Sequence, residues 1–402
     1  MKLLRNVIVF PKEVSKLPRH IKIVSLLVFI YYLGWGFIDP FFSIYIKSKL
    51  GSYAAVGYIA GALPLLSILW SIPVGKLVDI MSKQRIIKII LVLYLPMSYI
   101  ILALQTAMHF LLFRAYHAFI SVSLWNALEA YVREHSPKKR VVEAMGLFDS
   151  AYSFAAIIGA VIAGFLFSTY GFNLFWILSF TTAMTLICAF FLPDHKKNVS
   201  LNDGMHGLMA GGLFTEEIKN FFKCKKLVNY MSISFILNIV SASIGSFMPL
   251  IMREYGASYL LIALIYAAFT LPYFFEVYFC SFVNGNRRIM IRFSLLIALA
   301  VLAILFFAES IMVVFIALLL FSVAFAAMRP VLEGYQTSIT PKKHLGELSG
   351  VAYSIKLLGT AIGPIVSGII SEYFGLSYIF VWCFGLMTVV LVISSSKRVI
   401  EI

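Results

Sequence analysis

Charged side chains are scarce in this sequence, and their scarcity excludes a water-soluble globular protein. Asp, Glu, Lys and Arg make up 13% of the 402 residues, whereas 61% of the residues are hydrophobic. Soluble domains carry about 25% charged residues. A surface with so few charges must face lipid over most of its area, so we predict an integral membrane protein.

Cysteine and histidine are also rare, with four and seven copies. The cysteines show no disulfide or metal-binding spacing, and the chain contains no metalloprotease, serine-hydrolase or Walker motif. These absences argue against an enzyme and against direct drive by ATP. We predict no metal site and no cofactor, which leaves the proton gradient as the energy source.

Long apolar runs, such as residues 86–104, indicate membrane-spanning helices rather than the alternating pattern of a transmembrane β-barrel. The predicted fold class is all-α, with about twelve transmembrane helices of roughly 20 apolar residues or more. The predicted spans are 22–47, 53–79, 86–105, 107–132, 141–170, 173–192, 226–252, 257–283, 287–308, 310–338, 344–373 and 376–395.

Positive charge is concentrated on one side of these spans. Of the 33 Lys and Arg residues, three lie in or beside odd-numbered loops and three lie inside spans, which leaves 27 in the termini, the even-numbered loops or the adjoining helix ends. The positive-inside rule then places both termini in the cytoplasm of a multi-pass cell-membrane protein. The net charge of +15 is therefore a signal of topology, and we predict no nucleic-acid partner.

The chain repeats itself at an offset of 204 residues, since residues 128–171 align without gaps on residues 332–375. The aligned pairs include Gly146 with Gly350, Gly159 with Gly363, Gly164 with Gly368, and Gly171 with Gly375. Six predicted spans separate the copies, so both have the same orientation and are related by a pseudo-two-fold axis along the membrane normal.

This repeat predicts two pseudo-symmetric six-helix bundles, at residues 1–192 and 226–402. Between them, residues 193–225 read as a cytoplasmic linker, in which Thr215 starts a candidate amphipathic surface helix. Rocking of one bundle against the other would open the seam between them to each side of the membrane in turn. We therefore predict a carrier that works by alternating access. A channel is disfavoured because channels usually need a selectivity element or a pore ring.

The loop between spans two and three carries the sequence GKLVDIMSKQR, from Gly75 to Arg85. It resembles the loop signature of the major facilitator superfamily, in which a Gly, a Leu and an Asp at alternate positions precede a basic cluster. The resemblance implies the major facilitator fold, and a cytoplasmic gate in which Gly75 allows close helix approach, Asp79 meets a helix N-terminus or a basic partner, and Arg85 pairs with Glu129. Glu333 is the equivalent of Glu129 in the second half.

Two features weaken this network. Ile80 replaces the usual basic residue and Ser82 the usual Gly, so fewer contacts are expected, and an ordinary positively charged turn is the competing interpretation. A second likeness to the superfamily is the run from Gly359 to Pro364. Its first-half counterpart, Gly159–Ala160, lacks the proline that marks the drug-antiporter branch. Small residues four apart permit close helix packing, which is the simpler role for these glycines.

Two ionisable residues lie inside the spans of the first half, where a charge is costly unless it is paired or faces a cavity. Asp39 and Arg114 lie about eight and seven residues from the outer ends of their spans, which is roughly 10–12 Å at 1.5 Å per residue. We hypothesise that Asp39 gains and loses the coupling proton, with Arg114 as its partner. The resemblance implies the same roles, and a static ion pair is the alternative.

Further residues are candidates for lining a substrate cavity, with packing or an interhelix pair as the alternative for each. Glu276 and Arg329 are expected to pair, and His117 can contact substrate, relay a proton or simply pack. The candidates are Trp35, His117, Asp149, Tyr152, Asn238, Glu276, Arg329, Tyr353 and Lys356.

Together these patterns favour a proton-coupled exporter of small amphipathic or drug-like compounds, acting as a monomer in the lipid bilayer. The alternative is a proton-coupled importer of a sugar or another nutrient, which would usually place more Asn, Gln and charged groups in its spans. A lipid-handling or sensor variant of the same fold is also open.

Overall fold

The computed structural model describes residues 16–137, 140–193, 225–274, 287–339 and 345–395, and every regular element within these ranges is helical. The first half of the chain forms α1 (Arg19–Leu50), α2 (Tyr53–Ile80), α3 (Lys83–Tyr94), α4 (Met97–Ala103), α5 (Ala107–His135), α6 (Val141–Tyr170) and, after a 3₁₀ turn at Gly171–Phe175, α7 (Trp176–Ala189). The second half forms α8 (Lys225–Glu254), α9 (Tyr259–Phe274), α10 (Arg287–Phe307), α11 (Ile311–Ile339), α12 (Leu345–Phe374) and α13 (Tyr378–Ser395). Residues 194–224, which make up most of the predicted linker and include Thr215, lie outside the described residues.

Apolar helices account for every predicted span. Nine helical stretches in the described ranges are long and apolar enough to cross a membrane, and one of them, Glu143–Ala189, contains both α6 and α7. Two shorter apolar helices, Tyr259–Pro272 and Tyr378–Ser394, match the remaining spans. The prediction of an all-α integral membrane fold is thus confirmed.

The predicted third span is interrupted, because α3 ends at Tyr94 and α4 begins at Met97. Pro96 has no backbone N–H to donate and its ring clashes with a preceding helical carbonyl. Ser179 of α7 supplies partners on both sides of the break: its Oγ donates to the Leu95 carbonyl at 2.5 Å and accepts from the Ser98 backbone N–H at 3.3 Å. The apolar pattern, from which the span was predicted, continues through this break.

Helix boundaries reproduce the internal repeat. Helices α5 and α11 begin 204 residues apart (107 and 311), and α6 and α12 end 204 residues apart (170 and 374). The glycines with positive φ also come in matched pairs at helix ends, Gly51 with Gly256 and Gly171 with Gly375. Glycine adopts this conformation without the steric penalty of a Cβ atom, and so ends equivalent helices at equivalent places.

Contacts group the chain into two compact units. The first comprises Met1–Pro40, Leu69–Leu104 and Leu112–Gly211, and within it α3 and α4 pack on α7. The second comprises Phe41–Ile68, Gln105–Leu111 and Gly212–Ile402. Within the second unit α8 packs on α12 and α13, α10 on α11 and α13, and α9 on α11.

One helix crossing is repeated in both halves. In the first, a Cβ atom on Gly159 of α6 would lie 2.6 Å from the Leu33 carbonyl oxygen and 2.9 Å from Gly36 Cα, both in α1. In the second, Gly363 of α12 lies equally close to the backbone of Ile239 in α8. The repeated glycines therefore let helix backbones touch, which is the packing role expected from their spacing.

Candidate functional site

The centre of the first unit holds a buried cluster formed by α1 and α5. Arg114, His117 and Trp35 are only 7%, 5% and 6% exposed. Trp35 stacks on His117 with ring centroids 4.6 Å apart and planes 3° from parallel. Arg114 Nη1 lies 3.4 Å from His117 Nδ1. A guanidinium group can only donate, so this contact requires His117 Nδ1 to be the unprotonated, accepting nitrogen.

Two tyrosines extend the cluster toward α3. Trp35 Nε1 donates to the Tyr31 hydroxyl at 2.9 Å, and the Tyr31 ring meets the Tyr94 ring edge-on at 5.2 Å. The Tyr94 ring also lies 6.2 Å from His117. Edge-to-face aromatic pairs with these separations are favourable and directional. The polar side chains are thus held in fixed orientations by their aromatic neighbours.

Asp39 is the acidic residue at this cluster. It lies on α1 one turn beyond Trp35, is half-buried, and acts electrostatically on the buried Arg114 guanidinium. Positions i and i+4 lie on the same face of a helix, so α1 presents the indole of Trp35 and the carboxylate of Asp39 on one face. The structure therefore brings together four of the residues singled out from the sequence, namely Trp35, Asp39, Arg114 and His117.

A second aromatic group lies where α1, α5 and α6 meet. The Tyr152 ring is 4.0 Å from the Tyr32 ring and 5.7 Å from the Trp125 ring, and Tyr32 and Trp125 are 5.6 Å apart. All three side chains are half-buried. Asp149, one helical turn before Tyr152 on α6, is exposed. This group combines aromatic faces with a nearby acid.

The second repeat carries charged residues at the equivalent positions. Glu333 Oε1 accepts from Arg329 Nε at 3.4 Å and lies 3.6 Å from Lys356 Nζ on α12. At the 204-residue offset, Arg329 corresponds to Trp125, and Lys356 to Tyr152. The same helix faces are therefore aromatic in one repeat and ionic in the other. Glu276, the partner expected for Arg329, lies outside the described residues.

Two other cavity candidates differ in their surroundings. Asn238 Nδ2 donates to the Ser234 carbonyl at 2.8 Å, and a Cβ atom added to Gly359 would lie 3.2 Å from the Asn238 Cβ. It therefore sits at the crossing of α8 and α12. Tyr353, which corresponds to Asp149 in the first repeat, is exposed on α12.

The residues of the predicted cytoplasmic gate make other contacts than the predicted ones. Arg85 is exposed, and Glu129 accepts from Arg133 at 2.8 Å within α5 instead of pairing with Arg85. The ion pair between α3 and α5 is formed by Lys83 and Glu134, at 3.0 Å. Residues two apart on a helix point about 200° apart, so Lys83 faces α5 when Arg85 faces away.

The glycine of the loop signature also lacks its expected contact. No described atom lies within 4 Å of the place where a Cβ on Gly75 would sit, so the close helix approach predicted there is not made in this structure. The close approaches of α2 lie earlier, at Gly57 and Gly61. Asp79 lies in the last turn of α2.

Sequence reasoning missed the Lys83–Glu134 pair and the role of Tyr94. Lys83 is the first residue of α3, but its burial at 4% exposure depends on how α3 is rotated, which the apolar pattern leaves open. Among the described residues, no group of three or more His, Cys, Asp or Glu side chains is placed to hold a metal ion.

Comparison with known proteins identifies the family. The Major Facilitator Superfamily model matches residues 24–223 and 230–396. Multidrug resistance protein 2 of Bacillus subtilis is 26% identical over 357 residues, which cover 86% of this chain and 87% of that protein. An uncharacterised MFS-type transporter of Methanocaldococcus jannaschii is 26% identical over 247 residues, 61% of this chain and 62% of that protein.

A solved structure shows the same fold. The nucleoside transporter NupG superposes with a TM-score of 0.78 at 12% sequence identity, covering 94% of this chain and 100% of that one. Members of the matched family are transporters of small molecules across lipid bilayers, not enzymes, and typically need no cofactor. Because the family model covers both repeats of this apolar helical chain, we conclude that it is a membrane transporter of the major facilitator superfamily.

Proposed function

We propose that this transporter exports small amphipathic, drug-like compounds in exchange for protons. Two six-helix bundles, residues 1–192 and 226–402, joined by the linker 193–225, would rock against each other in the cell membrane. Both termini would lie in the cytoplasm, as the distribution of Lys and Arg indicates. The chain would act as a monomer, because it already contains both six-helix bundles that alternating access requires.

The observation that carries the proposal is the placement of Asp39 beside Arg114 on a buried face with His117 and Trp35. A charge inside a membrane span is usually retained for a function such as ion or proton transfer. Neutralising one member of a buried pair leaves the other charge uncompensated, which is strongly unfavourable. Protonation of Asp39 would therefore change the most favourable arrangement of Arg114 and couple proton binding to movement of α1 against α5.

The aromatic group of Tyr32, Trp125 and Tyr152 supports an amphipathic substrate. Half-buried rings offer apolar and π faces to a ring-bearing compound. The Bacillus subtilis relative is named a multidrug resistance protein, which is consistent with the same class of substrate. Sugars and nucleosides would instead need several hydrogen-bonding groups to replace their hydration shell.

The test is a flux assay with the purified transporter in proteoliposomes that hold a pH-sensitive dye. An inward-directed proton gradient should drive extrusion of preloaded hydrophobic test compounds from the liposomes, and each compound that is transported should move protons in the opposite direction. Glucose and uridine serve as matched polar compounds. Proton movement with glucose or uridine in the same direction as the solute, and none with hydrophobic compounds, would replace the proposal by a nutrient importer.

A further inference from the structure

A carboxylate from α12 caps the start of α2. Glu372 Oε2 accepts from the backbone N–H of Tyr53 at 2.6 Å, from that of Ala54 at 3.2 Å, and from the Ser52 hydroxyl at 3.1 Å. The Ser52 Oγ accepts in turn from the Ala55 N–H at 3.2 Å. The first amides of a helix have no partner inside the helix and carry partial positive charge, so an anion is stabilised at this place.

A lysine and a second glutamate lie around this contact. Lys47 Nζ lies 3.6 Å from the centroid of the Tyr53 ring, donates to the Gly51 carbonyl at 2.7 Å, and attracts the Glu372 carboxylate. The Tyr53 hydroxyl interacts with Glu254, in the last turn of α8. The ends of α1, α8 and α12 thus converge on the first turn of α2.

Glycines bring α2 and α12 together behind the carboxylate. A Cβ atom on Gly57 would lie 2.9 Å from Gly368 Cα, and one on Gly61 would meet the Ala361 carbonyl oxygen and the Ile365 side chain. Gly57 and Gly61 are four residues apart and therefore lie on one face of α2, the spacing that permits close contact of helix backbones. The polar cap and this glycine face form one continuous contact.

The contact joins the two repeats of the chain. Residues 41–68, from the first repeat, belong to the same compact unit as the whole described part of the second repeat. The pseudo-symmetric position of Glu372, at the 204-residue offset, is Ser168, so the first repeat offers no carboxylate there. The charged cap is therefore an addition to one side of the symmetric fold, not a requirement of the repeat.

We propose that Glu372 is a positioning residue of the transport cycle, and that its carboxylate on the α2 N-terminus holds the two repeats together at this end of the protein in one of the two access states. This inference rests on the alternating access of the proposed function. When the repeats separate here, Glu372 must leave the amides of Tyr53 and Ala54. Because the Glu372 side chain is exposed, water can solvate both the carboxylate and the released amides, and the contact can open and close reversibly.

The test measures the opening directly, without substrate. Spin labels at Ser48→Cys and Ser310→Cys, with Cys188, Cys224, Cys280 and Cys383 replaced by serine, report the separation of the repeats at this end. Both label positions are exposed, Ser48 near the end of α1 and Ser310 at the start of α11. Tyr255 hydroxyl donates to the Ala308 carbonyl at 2.8 Å, which places the Ser310 label beside the start of α9.

Glu372→Ala should raise the ratio of long to short distances roughly tenfold, because a charge-assisted hydrogen-bonded group is lost from one state only. Glu372→Asp, which keeps the carboxylate, should restore part of the short-distance population. The ratio of long to short distances for Glu372→Gln should lie between those of Glu372→Asp and Glu372→Ala. Glu309→Gln removes an exposed carboxylate in the turn before α11 and should leave the distances unchanged. Equal distance distributions in wild type and Glu372→Ala would overturn the proposal.

Gly57→Ala gives an independent check, since its Cβ would collide with the α12 backbone and should also favour long distances. In transport, Glu372→Ala should raise KM for substrate added on the side that is accessible in the joined state, because that state is less populated, while a merely structural defect would lower the amount of folded protein instead. The distance measurement needs no substrate or proton gradient, so failure of the export proposal would leave its outcome readable.

Discussion

The indole of Trp35 lies flat against the imidazole of His117, with centroids 4.6 Å apart. The two rings come from α1 and α5, so this stack joins the helix that carries Asp39 to the helix that carries Arg114. The indole N–H is bound to the Tyr31 hydroxyl, which fixes the direction of the ring edge. The distance between the acid and the guanidinium is therefore set by aromatic packing as well as by charge.

Replacing Trp35 should separate the role of packing from that of the hydrogen bond. Trp35→Phe keeps a ring on His117 and should lower the free energy of unfolding by about 1 kcal/mol, while Trp35→Ala opens a cavity and should lower it by about 3–5 kcal/mol. Thermal unfolding of the purified protein in detergent measures both. Equal losses for the two variants would show that the stack contributes little.

His117→Gln should retain proton coupling. The accepting nitrogen of His117 faces the Arg114 guanidinium, and the Gln side-chain oxygen can accept from the same group. We expect a lower transport rate, because the stack on Trp35 is lost, but an unchanged ratio of protons to substrate. The measurement is proton and substrate flux in the same proteoliposomes, and loss of proton flux alone would instead make His117 the proton carrier.

Asp39 and Arg114 should be energetically coupled. Arg114→Gln leaves the Asp39 carboxylate without its cation and should lower the free energy of unfolding by about 2 kcal/mol, less than the 3–5 kcal/mol of a fully buried pair because Asp39 is half-buried. Asp39→Asn added to Arg114→Gln should recover about 1 kcal/mol. A double-mutant cycle of thermal unfolding tests this coupling, and strictly additive losses would mean that the two side chains act independently.

Gly159 should be intolerant of a methyl group that Gly146 accepts. Both lie in α6, but only at Gly159 would a Cβ collide with the backbone of α1, whereas no described atom lies within 4 Å of one on Gly146. Gly159→Ala should cost about 1–3 kcal/mol, and Gly146→Ala should be neutral or stabilising by up to about 1 kcal/mol through helix propensity. Similar unfolding temperatures for the two variants would contradict the observed crossing.

The sequence predicted helices and their ends well because both depend on local chemistry. Apolar runs of bilayer length mark the spans, and glycines such as Gly171 and Gly375 end equivalent helices with positive φ. The repeat could be found from residue identities alone, and helices α6 and α12 end 204 residues apart, as it predicts. The break at Pro96 was missed because the apolar run continues through it and the compensating hydroxyl, that of Ser179, comes from α7.

Partners across helices could not be predicted in the same way. Arg85 and Lys83 are both basic and differ by two positions, and only the rotation of α3 decides that Lys83 meets Glu134. Likewise, Glu372 resembles any acid near a helix end in the sequence. Its contact with Ser52, 320 residues away along the chain, becomes visible only in the folded structure. Asp39 and Arg114 could be predicted as partners because they are the ionisable residues at similar depth in two spans of the first half.

The most direct test of the central claim is proton release by purified transporter in weakly buffered detergent when a transported hydrophobic compound is added. Wild type and Glu309→Gln should release protons on binding, whereas Asp39→Asn should bind the compound, as followed by tryptophan fluorescence, and release none. Proton release by Asp39→Asn equal to that of wild type would contradict the assignment of Asp39 as the coupling residue.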